Sequence, residues 1–172
     1  MRRFLHLILA IITCLSVITG CAREGTVQNG GVPFEDSDFP KEPPHLEITG
    51  GKSVLFAWRG TASWNVKRLD GTGTGIQMDA PHPLDCIGNI PAITVFGDTT
   101  LKLSFEASPD RIVVRKYSAH AKDYEAYTEV EVKGNSLTVE GGNHLYEVIA
   151  TWDESPLRTY YGTAYYAFCT AQ

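Results

Sequence analysis

Asp79, His82, Asp85 and Cys86 lie within one short stretch and offer oxygen, nitrogen and sulfur donors of the kind that hold zinc. Their spacing lacks the paired His or Cys repeats that make a metal motif specific. The same stretch, Ala80-Pro81-His82-Pro83-Leu84, reads as a proline-stiffened crossover in which the residue before each proline is pushed to an extended conformation. A thiol reading stands beside it, with Cys86 as nucleophile and His82 as its base; such a pair needs a third group to orient the base, and the sequence marks none. A small metal- or thiol-dependent enzyme centred on His82 and Cys86 is therefore the alternative expectation. The principal one is a non-catalytic module that uses no cofactor.

Other clusters read as structural. Gly71-Thr72-Gly73-Thr74-Gly75 has glycines enough for a phosphate loop, but the spacing is wrong and Pro81 and Pro83 follow where a helix would have to start. A hairpin tip is expected. Glu129 and Glu131 are two apart in a strand-like run and so share one face, expected to be solvated. Neither a Gly-x-Ser-x-Gly elbow nor a His-Glu-x-x-His pair occurs. Trp58, Trp64, Tyr160, Tyr161, Tyr165 and Tyr166 are candidates for a sugar- or peptide-binding platform. Neighbours on a strand face opposite ways, so only one of Tyr165 and Tyr166 belongs to a core.

The elements that would position these residues are strands. From Leu46 onward, short runs rich in Val, Ile, Thr, Tyr, Phe and Trp are broken every eight to twelve residues by Gly, Asn, Asp or Pro, the spacing of a sandwich or barrel. Strands are expected near 46–49, 53–58, 62–67, 75–78, 99–106, 111–117, 127–132, 136–140, 145–152 and 163–170. Leu137 and Val139 alternate, Gly141-Gly142-Asn143 turns the chain, and Tyr146, Val148, Ala150 and Trp152 recur at period two as one buried face does. This run resembles the corner between strands E and F of immunoglobulin-like and fibronectin-like sandwiches, with Tyr146 as the tyrosine that bonds back across it. The expected fold class is all-β, an immunoglobulin-like antiparallel β-sandwich over residues 46–172.

Before that domain the composition changes twice. The first twenty residues hold Arg2 and Arg3, no acid, and an apolar run from Phe4 to Ile18, the layout of a signal peptide. The run ends Ile18-Thr19-Gly20-Cys21, which resembles the lipobox of bacterial lipoproteins. That resemblance implies cleavage before Cys21, acylation of its thiol with palmitate-type chains, and attachment to the cell membrane facing the extracytoplasmic side. Two or more acyl chains, at about 0.8 kcal/mol per buried CH₂, exceed the weak hold of one. An uncleaved membrane helix is the competing reading of the same run, and His6, Thr13 and Ser16 interrupt it. Residues 21–45, with Gly25, Gly30, Gly31, Pro33, Pro40, Pro43 and Pro44 and no apolar period, read as a linker.

Residues 60–168 also resemble a loose group of lipoproteins from Gram-positive gut bacteria and the exported tail of some membrane metallopeptidase sensor proteins. The matching residues are Ser63-Trp64, Asp70-Gly71, His82-Pro83-Leu84, Tyr146-Glu147-Val148-Ile149-Ala150-Thr151-Trp152 and Gly162-Thr163-Ala164-Tyr165-Tyr166-Ala167-Phe168. The resemblance implies fold and location and brings no activity. Once Cys14 is cut away and Cys21 acylated, Cys86 and Cys169 remain, either as a disulfide that export permits or as buried free thiols. The chain has 172 residues, 43% hydrophobic and 20% charged, and a formal charge of −5 that becomes −7 when Arg2 and Arg3 leave. Such a surface disfavours nucleic acid, which needs clustered Lys and Arg. The expected partners are the membrane, through the lipid, and an envelope protein, peptide or glycan.

Overall fold

Alternation along a strand decides which side chains share a face, and two such faces must then meet. The computed structural model describes residues 40–68 and 70–172, so the signal segment, Cys21 and most of the expected linker lie outside the described residues. The strands are β1 (Leu46–Gly50), β2 (Ser53–Phe56), β3 (Trp58–Lys67), β4 (Gly73–Met78), β5 (Ala92–Thr94), β6 (Thr99–Phe105), β7 (Arg111–Ser118), β8 (Thr128–Val130), β9 (Val132–Lys133), β10 (Ser136–Val139), β11 (His144–Trp152) and β12 (Tyr160–Ala171). They form two packed sheets, the all-β sandwich expected from the sequence. The smaller runs β2-β1-β6-β10-β9; the larger runs β4-β3-β12-β11-β7-β8, with β5 beside β12. The described residues all belong to one compact unit.

The inner faces are those the period-two pattern marks. Leu46 and Ile48 of β1, Leu101 and Leu103 of β6, and Leu137 and Val139 of β10 meet Tyr146, Val148, Ala150 and Trp152 of β11 and Ala164, Tyr166 and Phe168 of β12. All of these are at most 1% exposed. Trp64 packs edge-on against Trp152 with ring centroids 5.2 Å apart and stacks on Tyr160 at 5.4 Å. The indoles still need acceptors in this dry layer. Trp64 Nε1 donates to the Pro40 carbonyl at 2.9 Å and Trp152 Nε1 to that of Ala107 at 3.0 Å.

Tyr146 closes the corner as expected. Its hydroxyl accepts from the Glu140 backbone N–H at 3.0 Å, six residues upstream, while its ring stacks on Phe168 at 5.1 Å. The end of the segment read as linker is pinned to the sandwich in the same manner. Tyr166 donates to the Pro44 carbonyl at 2.5 Å, and Arg59 donates to that of Pro43 at 2.7 Å.

Three local features differ from the sequence reading. The stretch expected as one strand over 127–132 breaks at Glu131, with β8 in the larger sheet and β9 in the smaller, so Glu129 and Glu131 lie on no common strand, though both are exposed. β5 is not among the expected strands; it pairs with the end of β12 in parallel, Ala92 opposite Cys169, the exception to the antiparallel order among the described strands. The pairing of β12 with β3 slips between Ala164 and Tyr166, leaving Gly60 and Thr61 together opposite Tyr165. Such a bulge reverses which side chains point inward. Beyond it Trp58 leaves the core and joins the outer face.

The expected hairpin tip is present. Gly71 takes φ +83° in the turn between β3 and β4, and Asp70 accepts from the Thr72 N–H at 2.9 Å and its hydroxyl at 2.6 Å. Gly73 and Gly75 belong to β4 itself.

Candidate functional site

The outer face of the larger sheet is not simply solvated. Between β4 and β5 the chain crosses it through a 3-10 turn, Pro83–Asn89, capped by His82, whose Nδ1 accepts from the Leu84 N–H at 3.2 Å. Ile90, Leu84 and Ile87 from this crossover pack on Tyr117, Leu145 and Ala167 of the sheet, with Trp58, Ala121, Tyr127 and Cys169 around them. That second, smaller core covers one end of the sheet and stops short of the next rows of side chains.

A cleft of about 400 Å³ opens where the cover ends. Its floor is one row across four paired strands: Arg115 on β7 opposite Glu147 on β11, then Ala167 on β12, then Trp58 on β3. Ala167 carries only a methyl, so the row dips between Glu147 and Trp58. Gly60 deepens it, because a Cβ there would sit 3.0 Å from the Trp58 ring. One rim is Tyr165, in the row beyond, and the other is made by Pro81, His82 and Tyr124.

Glu147 is 5% exposed, and a buried carboxylate is costly unless donors and charge compensate it. Tyr117 Oη donates to its Oε2 at 3.2 Å, and Arg115 Nη1 stands 3.6 Å from the same oxygen, an ion pair longer than a hydrogen bond. Burial first, and then the Glu147 carboxylate, push the Tyr117 phenol up to about 12. Arg115 stacks over Tyr127, its guanidinium carbon 4.4 Å from the ring centroid, and its buried Nε has no hydrogen-bond partner. The cleft thus holds a guanidinium with unspent donors beside a carboxylate with spare acceptor capacity.

The rim is tied down from the loop after β7. The Tyr124 hydroxyl reaches both Asp85 oxygens, at 2.9 and 2.7 Å, and its ring stacks on His82 at 4.1 Å with 10° between planes. His82 also meets Tyr117 edge-on at 5.6 Å.

Of the residues singled out in the sequence, His82 reaches the cleft and Cys86 is not among those that line it. Asp85 is engaged with Tyr124. Cys86 and Cys169 are free thiols, each half-buried, and burial pushes the Cys169 thiol up. Among the described residues no group of three or more His, Cys, Asp or Glu is placed to hold a metal ion. The aromatic set divides: Trp58 and Tyr165 line the cleft, Trp64, Tyr160 and Tyr166 belong to the core, and Tyr161 lies under Lys67, whose Nζ is 5.1 Å from its ring centroid.

The sequence reading missed Arg115, Tyr117, Tyr124 and Glu147. The one available signal was Glu147 itself, an acid set inside the apolar run from Leu145 to Ala150. No protein-family model, curated protein or solved structure matches the chain.

Proposed function

We propose that the protein is a lipid-anchored, extracytoplasmic binding module: an immunoglobulin-like sandwich carried by an acylated Cys21 on the outer side of the cell membrane and presenting the cleft to an envelope protein, peptide or glycan. The anchor rests on the apolar run and the Ile18-Thr19-Gly20-Cys21 sequence. The immunoglobulin-like assignment rests on strand order. β1-β6-β10-β9 corresponds to strands A-B-E-D of that fold, and β12-β11-β7-β8 to G-F-C-C′, with the β3–β4 hairpin as an addition beside G. Binding without turnover is favoured because the cleft offers Arg115, Glu147 and an aromatic wall while the two thiols lie elsewhere.

One observation carries the binding reading. A nearly buried carboxylate and an incompletely bonded arginine face one concave, aromatic-walled space, a combination that costs folding energy and suits recognition. The test uses the full chain in its own cell, with a photo-crosslinking p-benzoyl-phenylalanine in place of Tyr165 at the cleft, or of Lys102 on the outer face of the smaller sheet. A discrete adduct from the first position and none from the second is expected; equal patterns would refute the cleft as the binding face. Cys21→Ser is expected to abolish acyl labelling, and retained labelling would refute the anchor.

A further inference from the structure

We infer that the ligand of this cleft is the pyranose ring of a neutral sugar, an inference that rests on reading the cleft as the binding site. The argument begins with charge. The place a ligand cation would take is filled by the protein's own Arg115, which lies against Glu147 and over the Tyr127 ring. A ligand anion drawn to Arg115 would meet the Glu147 carboxylate, with Glu125 also on the lining. Either charged ligand satisfies one of the pair and opposes the other.

Hydroxyl groups satisfy both, since each donates and accepts. Two adjacent hydroxyls of a sugar, one donating to Glu147 and one accepting from a terminal nitrogen of the partly exposed Arg115 guanidinium, satisfy both groups at once. The in-register placement of Arg115 opposite Glu147 suits neighbouring ring positions. The remaining surface matches the apolar C–H face of such a ring: Trp58 beside the Ala167–Gly60 dip and Tyr165 at the rim are aromatic, and His82 stacked on Tyr124 closes the far side. The volume of about 400 Å³ falls within the roughly 300–1,000 Å³ of small-ligand sites.

An extended peptide is less well served. β11 and β12 are paired on both sides, so the cleft floor offers no free ladder of N–H and C=O groups for a peptide strand to join. Recognition here is by side chains.

The test is an NMR titration of the chain without residues 1–20, which retains every described residue. The probes are the methyl glycosides of glucose, galactose, mannose and N-acetylglucosamine, compared with N-acetyl-lysine methylamide and acetate. At least one glycoside is expected to shift the Trp58 indole and Arg115 Nε–H signals saturably. Tyr165→Ala is expected to weaken that binding between about two- and tenfold, the value of one aromatic contact. Glu147→Gln, which keeps the shape and an acceptor for Tyr117, is expected to weaken it about tenfold, with the spectrum of each variant reporting an intact fold. Glycoside binding insensitive to both substitutions overturns the inference. Shifts from the lysine or acetate probe alone overturn the sugar assignment and leave the cleft a binding site. Silence of the cleft signals toward every probe overturns the sugar assignment, and a cleft-specific crosslink in cells then shows whether the binding site survives it.

Discussion

Replacing Tyr166 and Tyr146 in turn by phenylalanine removes one hydroxyl from each of two buried rings, and the structure assigns the two losses different costs. The ring packing survives in both cases: Tyr166 keeps its edge contact with Phe105 at 5.7 Å and Tyr146 its stack on Phe168. What changes is the hydrogen bond. Tyr166→Phe strips the donor from the carbonyl of Pro44, a buried residue that water does not readily reach, so the cost includes an unsatisfied acceptor and comes to about 2 kcal/mol. Tyr146→Phe frees the N–H of Glu140, an exposed residue, which water can serve, so the cost is about 1 kcal/mol or less. With a urea m-value of about 2 kcal/mol/M, the midpoint should fall by roughly 1 M for Tyr166→Phe and roughly 0.5 M or less for Tyr146→Phe, at unchanged slope. Urea unfolding followed by tryptophan fluorescence reads both. Equal losses, or a larger one at Tyr146, would refute the argument that the solvation of the abandoned partner sets the cost.

Other outcomes follow from the same structure. Burial is the leading cause raising the phenols of Tyr117, Tyr146 and Tyr166, so the folded chain keeps protons that the unfolded chain releases above its ordinary value of about 10. Their stabilisation is therefore complete below pH 10 and is lost as pH rises toward the folded values, by up to about 1.4 kcal/mol per pH unit for each tyrosine; urea midpoints at pH 9, 10 and 11 should fall progressively, less steeply in Tyr117→Phe, and a flat profile contradicts this. Gly162 takes φ +151°, and an added Cβ would overlap the Ser63 carbonyl oxygen and lie 3.0 Å from Trp64 Cα, both backbone of β3. Gly162→Ala should cost about 3 kcal/mol and lower Tm by on the order of 10 °C, and a wild-type melt would show that β12 shifts freely. Without reductant, iodoacetamide should modify both Cys86 and Cys169 after unfolding, with Cys169 the slower in the native state because burial raises its thiol; an unfolded mass showing neither modified would mean a disulfide.

Much of the scaffold can be read along the chain because strand alternation is a local property. Spacing alone puts Tyr146, Val148, Ala150 and Trp152 on one buried face, and the rule that only one of Tyr165 and Tyr166 enters the core holds, with Tyr166 inside. The candidate site was scarcely readable. The same alternation that put Tyr146 inward put Glu147 on the outer face, where a carboxylate is ordinarily at ease in water. It says nothing of what lies over that face. Trp58 shows the other gap, since the Gly60–Thr61 bulge reverses its side only through pairing with a strand more than one hundred residues away.

The amino acid sequence by itself determined where strands form, which side chains share a face, and where the chain turns, because φ preferences and period-two burial act over a few residues. Tertiary structure alone decided that β5 slots in parallel beside β12, that the crossover from His82 to Ile90 roofs part of the sheet, and that Arg115, Glu147, Ala167 and Trp58 fall into one row. Those outcomes depend on register between distant strands. Register is settled by the total burial of two whole faces, a quantity no single stretch of the chain contains.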